Sequence, residues 1–371
     1  MSATFHMPAP RPAAAAAQAS AEVQSHVDWT DFGRILVVRP GNFGDALMLT
    51  PALRALRAAA PDSRIDLLTS PSGAAARELV AALDGVVVGT PSWYDRATGT
   101  APVDIRRCAW QEQALIGSLA KRGYEAMIVF TSATQSPWAA AHAGLLAGIE
   151  VRAVHSAETG GLVASHSVRP PEGPVHQIDR ALHLLHGLGV PVKGAAVRVD
   201  IPERARAAAD IALGGSSTPF ALLTPGCTRD DLRYSATGFA TTAAMIADSG
   251  LPVLVTGSPR ERDLVAEVVS RARHPGVRAL EPVSVAVLAA VIARAEVLVG
   301  NDSGPMHLAE AVGTPVAIAY GGADRDEDTR PRLVRARLVR GTVSCLDIAP
   351  ADLASAALAV LHRAPSLPLT N

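Results

Sequence analysis

Cysteine is scarce. Cys108, Cys227 and Cys345 are the only three in 371 residues, and none belongs to a CxxC or CxxH pair, so the spacing suggests neither a disulfide framework nor a structural zinc site. A reducing, cytoplasmic setting is the expectation. Net charge is nearly absent as well: 34 basic side chains stand against 35 acidic ones, a balance of −1, which argues against a general nucleic-acid binder or a polybasic membrane-surface protein. Any anionic ligand must therefore be held by local groups. Lysine occurs only at Lys121 and Lys193, so positive charge is carried by arginine. No stretch approaches the roughly 18 to 20 uninterrupted apolar residues needed to span a bilayer, and a soluble protein without a transmembrane segment is expected.

Apolar residues make up 49% of the chain and charged residues 19%, enough to build sizeable cores. The length exceeds what one core usually fills, so two domains are expected. Residues 1–31, rich in Ala and Pro and without a signal-peptide pattern, read as a disordered tail. From Arg34 the run ILVV has the unbroken apolar character of a buried parallel strand, followed at once by PGNFGD and by a helical stripe at Leu47, Leu49, Leu53 and Leu56. With IDLLT at 65–69 this makes a βαβ unit, and further strands are expected at 86–89 and 126–130. A helix over 176–190 and a linker near 192–202 precede a second series: FALLTPG at 220–226, a helix over 237–249, LPVLVTGSP at 251–259, and VLVGNDSGPMHLAEAVGTPVAIAYGG, which ends at 322. The pattern predicts two doubly wound α/β halves, over 32–195 and 196–350, with a C-terminal helix and tail over 351–371. Ligands in such sheets bind outside the carboxyl ends of the strands, so a site between the halves is expected.

Four strand-end loops could carry chemistry. In GNDSGPMH a strand ends at Gly300 and a helix starts near Pro305, so that the backbone N–H groups of Ser303, Gly304 and Met306 could hold a phosphate; the plainer role is a capped helix start. In RPGNFGD, Asp45 could accept a proton from an attacking hydroxyl, or simply cap the helix. The loop CTRDDLR offers Arg229 and Arg233 as phosphate clamps, although charge clusters on loops are commonly just solvated. In TGSPRERD, Glu261 could accept hydrogen bonds from ribose hydroxyls.

These four segments, in this order and separation, resemble glycosyltransferase family 9, the ADP-heptose:lipopolysaccharide heptosyltransferases. GNDSGPMHLAEAVGTPV and RILVVRPGNFGDALMLTPALRALRAAAPDSRIDLLT carry most of the likeness, which runs from about Arg34 to about Leu361. The resemblance implies the GT-B fold, two Rossmann-like domains facing across a cleft, with the acceptor bound mainly by the amino-terminal half and the nucleotide-sugar mainly by the other. It implies Asp45 as base and donor contacts at Thr228, Arg229, Gly257, Ser258, Glu261, Asp302, Ser303, Gly304, Pro305, Met306 and His307. Acceptor contacts are expected at Asn42, Phe43, Thr134, Gln135 and Ser136.

Two departures stand out against the family pattern. Relatives commonly carry Lys where this chain has Leu232, and Arg233 is the nearest replacement; at 320–328 a YGGADRDED loop stands where relatives usually have a Gly-Pro-Thr-Asp turn. Segment 131–161 has Arg152 as its one Arg or Lys, which suggests a branch distinct from the core lipopolysaccharide enzymes and a different acceptor. The combined expectation is inverting transfer of a heptose or related sugar from an ADP- or other nucleotide-linked donor to a hydroxyl of a glycan, lipid-linked or small-molecule acceptor. No cofactor or metal is required, no nucleic acid is bound, and a monomer suffices. A nucleotide-sugar epimerase or phosphorylase of the same architecture, or a non-catalytic sugar-nucleotide binder, are the alternatives.

Overall fold

A computed structural model describes residues 27–94, 104–158, 160–227, 232–321 and 326–361. The amino-terminal half is a parallel six-stranded sheet of β1 (Arg34–Val38), β2 (Arg64–Thr69), β3 (Gly85–Val88), β4 (Ala126–Val129), β5 (Val151–His155) and β6 (His166–Val168). The second half repeats this with β7 (Ala221–Thr224), β8 (Val253–Val255), β9 (Val277–Ala279), β10 (Val297–Asn301), β11 (Val316–Tyr320) and β12 (Ala336–Arg340). Strand orders are β3-β2-β1-β4-β5-β6 and β12-β11-β10-β7-β8-β9. Counted from its own first strand, each half has the order 3-2-1-4-5-6 of a dinucleotide-binding sheet, whose order reverses between the first and fourth strands. The paired sheets are the GT-B fold.

Helices cover both sheets: α1 (Phe43–Met48), α2 (Thr50–Ala59), α3 (Ile105–Arg122), α4 (Trp138–Leu146) and α5 (Gln177–Gly187) in the first half, then α6 (Glu203–Ala212), α7 (Ala236–Asp248), α8 (Arg262–Ala272), α9 (Val285–Arg294), α10 (Gly304–Val312), α11 (Asp326–Thr329) and α12 (Pro350–Ala359). The central strands are buried along most of their length, which is why they read as unbroken apolar runs rather than alternating ones. The helix expected after the first Gly loop is split. Asn42 and Asp45 form a reciprocal capping box for α1, Leu49 ends it, and Pro51 in the first turn restarts the chain as α2.

Packing at the amino-terminal boundary corrects one expectation. Residues 27–31 are not part of a tail: Trp29 is buried within a short 3-10 turn, and its indole N–H donates to the Leu188 carbonyl at 3.2 Å. A buried indole needs such a partner, and this one fixes the chain before β1. Residues 190–202 form neither helix nor strand. They run along the first half, with the Asp200 N–H donating to the Leu79 carbonyl and the Arg198 N–H to Thr50. One apolar cluster, which includes Ile35, Leu53 and Leu184 as well as Val291, Leu308 and Ile318, is continuous across both halves.

Candidate functional site

Each half opens a crevice at its own order reversal, as strand topology requires. In the first half the crevice lies between the loops after β1 and β4. A small cavity there is lined by Arg39, Asp45, Thr131, His155, Gln177 and Arg180 among others. Asp45 is half-buried. Its Oδ1 accepts from Arg39 at 2.7 Å, and its Oδ2 accepts the Asn42 N–H at 2.8 Å. Arg39 is held in turn by the side-chain oxygens of Gln135 at 3.0 Å and Gln177 at 2.5 Å. The capping role and the place beside a cleft, alternatives in the sequence, therefore coincide at one carboxylate.

Two further groups shape this cavity. Arg180 donates from Nε to the Thr131 carbonyl at 3.0 Å. His155 pairs with His183, Nε2 to Nδ1, at 3.1 Å. Burial, then the positive charge of Arg180 and the His183 ring, push the His155 pKa down to about 3, so it is neutral near pH 7.

In the second half the crevice lies between the loops after β7 and β10. Asn301, fully buried at the end of β10, grips both ends of the loop after β7: its side-chain oxygen accepts the Tyr234 N–H at 2.9 Å, and its amide nitrogen donates to the carbonyls of Pro225 at 2.9 Å and Gly226 at 3.2 Å. Ser303 occupies the N-cap of α10 but makes no capping bond; its hydroxyl turns back to the Asn301 carbonyl at 3.3 Å. The first turn of α10 is thus left without a side-chain cap, an arrangement open to an anion. Burial, and then the charge of Asp302 beside it, raise the pKa of the Tyr320 hydroxyl. Glu261 closes the other side. Its Oε2 accepts the Ser258 N–H at 2.6 Å, while a Cβ on Gly226 would come within 1.9 Å of its Oε1. Only glycine at 226 allows that carboxylate to approach the end of β7.

The two halves meet at the starts of α1 and α10. A Cβ on Gly44 would stand 2.5 Å from His307 Cδ2, and one on Gly304 would stand 3.0 Å from the Phe43 ring. Close approach of the two helix starts, rather than backbone freedom, therefore accounts for both glycines.

Against the expected site, Asp45, Gly257, Ser258, Glu261, Asp302, Ser303, Gly304 and Pro305 lie at the strand-end loops. Met306 does not contribute as expected: its side chain is fully buried and its N–H donates to the Ser303 carbonyl at 3.0 Å, so it packs the core. His307 is buried against Gly44. Asn42 caps α1, Phe43 sits at the seam, and Gln135 grips Arg39, while Thr134 and Ser136 are exposed. The Tyr234–Asn301 bond sets the neighbouring Arg233 beside the end of β10. Thr228 and Arg229 lie outside the described residues, as do Gly322 and Ala323. Sequence reasoning missed His155, Gln177, Arg180 and the tethering role of Asn301. Among the described residues no group of three or more His, Cys, Asp and Glu could hold a metal ion, and no helix is long and apolar enough to cross a membrane.

Lipopolysaccharide heptosyltransferase 1 of Escherichia coli O18:K1:H7 (strain RS218 / NMEC) is 24% identical over 301 residues, covering 78% of this chain and 86% of that protein. Among solved structures, a glycosyl transferase family 9 protein from Veillonella parvula DSM 2008 superposes with a TM-score of 0.73 at 19% identity, covering 91% of this chain and 99% of that one. The E. coli ADP-heptose lps heptosyltransferase II gives 0.69 at 20% identity, covering 88% and 98%. The family model for glycosyltransferase family 9 (heptosyltransferase) matches residues 113–348. A match over more than half of the chain decides the question: the protein belongs to glycosyltransferase family 9 and is a sugar-transferring enzyme that uses a nucleotide-sugar.

Proposed function

We propose that the protein transfers a heptose or related sugar from an ADP-linked donor to an acceptor hydroxyl, with inversion and without a metal ion. The observation that carries this reading is the opposition of a carboxylate, Asp45, to the uncapped start of α10 across the contact between Gly44 and His307. Asp45 takes the proton of the acceptor hydroxyl as its oxygen attacks the anomeric carbon. The bond from that carbon to the diphosphate oxygen breaks on the opposite face. Charge grows on the departing diphosphate, where the N–H groups of Ser303 and Gly304 at the start of α10 and the Arg233 guanidinium supply fixed positive potential; stabilisation of that kind is commonly the largest catalytic term. Glu261, held between Gly226 and Gly257, accepts from the ribose hydroxyls.

An adenosine diphosphate donor is supported by two solved structures of one relative, E. coli heptosyltransferase WaaC with ADP and with ADP-2-deoxy-2-fluoro heptose. The cavity beside Asp45 is where the acceptor hydroxyl would enter, and its makeup suits a polar sugar or a hydroxylated small molecule. A thermal-shift screen of nucleoside diphosphates and nucleotide-sugars, followed by a transfer assay with and without EDTA, tests the reading. ADP should raise the melting temperature by mass action, and transfer should survive EDTA. Collapse of transfer in EDTA with recovery on adding a divalent ion would refute the metal-free mechanism.

A further inference from the structure

The first turn of α5 touches both halves of the molecule, and its alternate residues do so in opposite directions. His176, the N-cap, accepts the Ile178 N–H on Nδ1 at 3.2 Å, which places its proton on Nε2, and that nitrogen donates to the Arg330 carbonyl at 3.1 Å. Asp179 receives both terminal nitrogens of Arg332, at 2.6 and 3.1 Å. The Arg332 and Leu333 N–H groups both donate to Glu310 Oε1, at 2.8 and 3.2 Å, and Glu310 is a buried residue of α10. Segment 330–333 is thereby tied to the helix whose start opens on the donor crevice. From the same turn of α5, Gln177 reaches the other way to Arg39, which holds Asp45.

We infer that the Asp179–Arg332 pair is a positioning device: it transmits the placement of α10 through the first turn of α5 to Arg39 and so to the carboxylate of Asp45. The inference rests on the reading of Asp45 as base. Its chemical logic is geometric. A two-point fork between guanidinium and carboxylate fixes orientation as well as distance, and one helical turn is rigid enough for movement of Asp179 to carry Gln177 with it. A donor that closes the halves over α10 would then square the Arg39–Asp45 pair toward the acceptor, whereas the direct contact of Gly44 with His307 fixes only the spacing of the two helix starts.

The test compares Asp179→Asn, Arg332→Gln and the charge swap Asp179→Arg/Arg332→Asp with the unmodified full chain. Each is read by kcat for transfer, by ADP affinity, and by amide exchange over residues 43–48 with and without ADP. Each single variant should lower kcat roughly 5- to 50-fold, within the usual span of coupling between sites, leave the Kd of ADP within about two-fold, and lose the protection that ADP confers on 43–48. The swap should recover most of both. Wild-type kcat and protection in the single variants would overturn the inference, as would a loss of kcat that follows a matching loss of ADP binding. Should Arg332→Gln fail to fold, Arg332→Lys keeps the charge without the fork and carries the same comparison. If the unmodified chain transfers no sugar, the functional reading falls instead. The positioning claim is then decided by ligand-free exchange, where faster exchange at 43–48 in the single variants, reversed by the swap, upholds it and unchanged exchange overturns it.

Discussion

Asp45 serves structure and chemistry with the same two oxygens, and the two roles differ in size. Replacing it by Asn removes the charge that pairs with Arg39 and half of the capping box, at a cost of about 1 kcal/mol. A general base contributes roughly 10²-fold or more to turnover. Asp45→Asn should therefore lower the melting temperature by a few degrees and turnover by roughly 10²-fold, with donor affinity little changed. Kinetics and calorimetry on one preparation separate the roles, and near wild-type turnover would leave Asp45 as a helix cap alone. The donor side offers a matching comparison. If Arg233 has taken over from the missing lysine, Arg233→Ala should cost roughly 10- to 150-fold in turnover, since a charge-assisted hydrogen bond is worth about 1.5 to 3 kcal/mol. A gain in Leu232→Lys without a loss in Arg233→Ala would show that the cation is lost rather than moved.

Elements were far more legible in the sequence than their contacts. Buried strands announce themselves as apolar runs, and the Gly loops that follow mark the ends where ligands bind, so both crevices could be located before any coordinates. Gln177 and Arg180 could not be found in this way. They share a helix with the apolar stripe of Ile178, Leu182 and Leu185, but their partners are 138 and 49 residues away in the chain, and no local pattern encodes such a pairing. The split between α1 and α2 was visible only as Pro51, because Leu49 continues the apolar stripe through the break. In the sequence Gly44 is one of two glycines in PGNFGD with nothing to mark it, and in the structure it is the point where α1 meets α10. Gly44→Ala gains about 0.5 to 1 kcal/mol of helix preference but drives a methyl to 2.5 Å from His307, and overpacking of that sort costs about 1 to 3 kcal/mol. The net expectation is a less stable protein with reduced turnover, measurable by thermal melting alongside a transfer assay; a more stable Gly44→Ala would show that the seam is looser than drawn.

At the scale of the whole molecule, stability should depend on pH through histidines buried in neutral form. Burial and then the Arg332 charge bring the His176 pKa down to about 4, and His155 lies at about 3. In the unfolded chain both take up a proton near pH 6.5. Below that value the unfolded state binds more protons than the folded one, so stability is complete above pH 6.5 and falls as the pH drops toward about 4 and 3, by about 1.4 kcal/mol per pH unit for each group. Denaturant melts at pH 7 and pH 5 test this, and His176→Gln should flatten the slope. Carboxylates add their own loss only at lower pH, so a flat profile between 6.5 and 5 would mean that these rings are not held neutral.

Among the described residues the backbone passes between the halves once, through residues 190–202, and this has a meaning for descent as well as for mechanics. The amino-terminal sheet is completed before that segment, and every element described after it belongs to the second half, where α12 packs on α7 and β11. One recombination event in the gene at that point would exchange an intact amino-terminal half for another without severing either sheet. The constraint on such a hybrid lies where the halves meet: Phe43 and Gly44 against Gly304 and His307, His176 against Arg330, Asp179 against Arg332, and the apolar cluster that both halves share. Lineages that preserve those pairings are free to inherit a new amino-terminal half while keeping the old carboxy-terminal one.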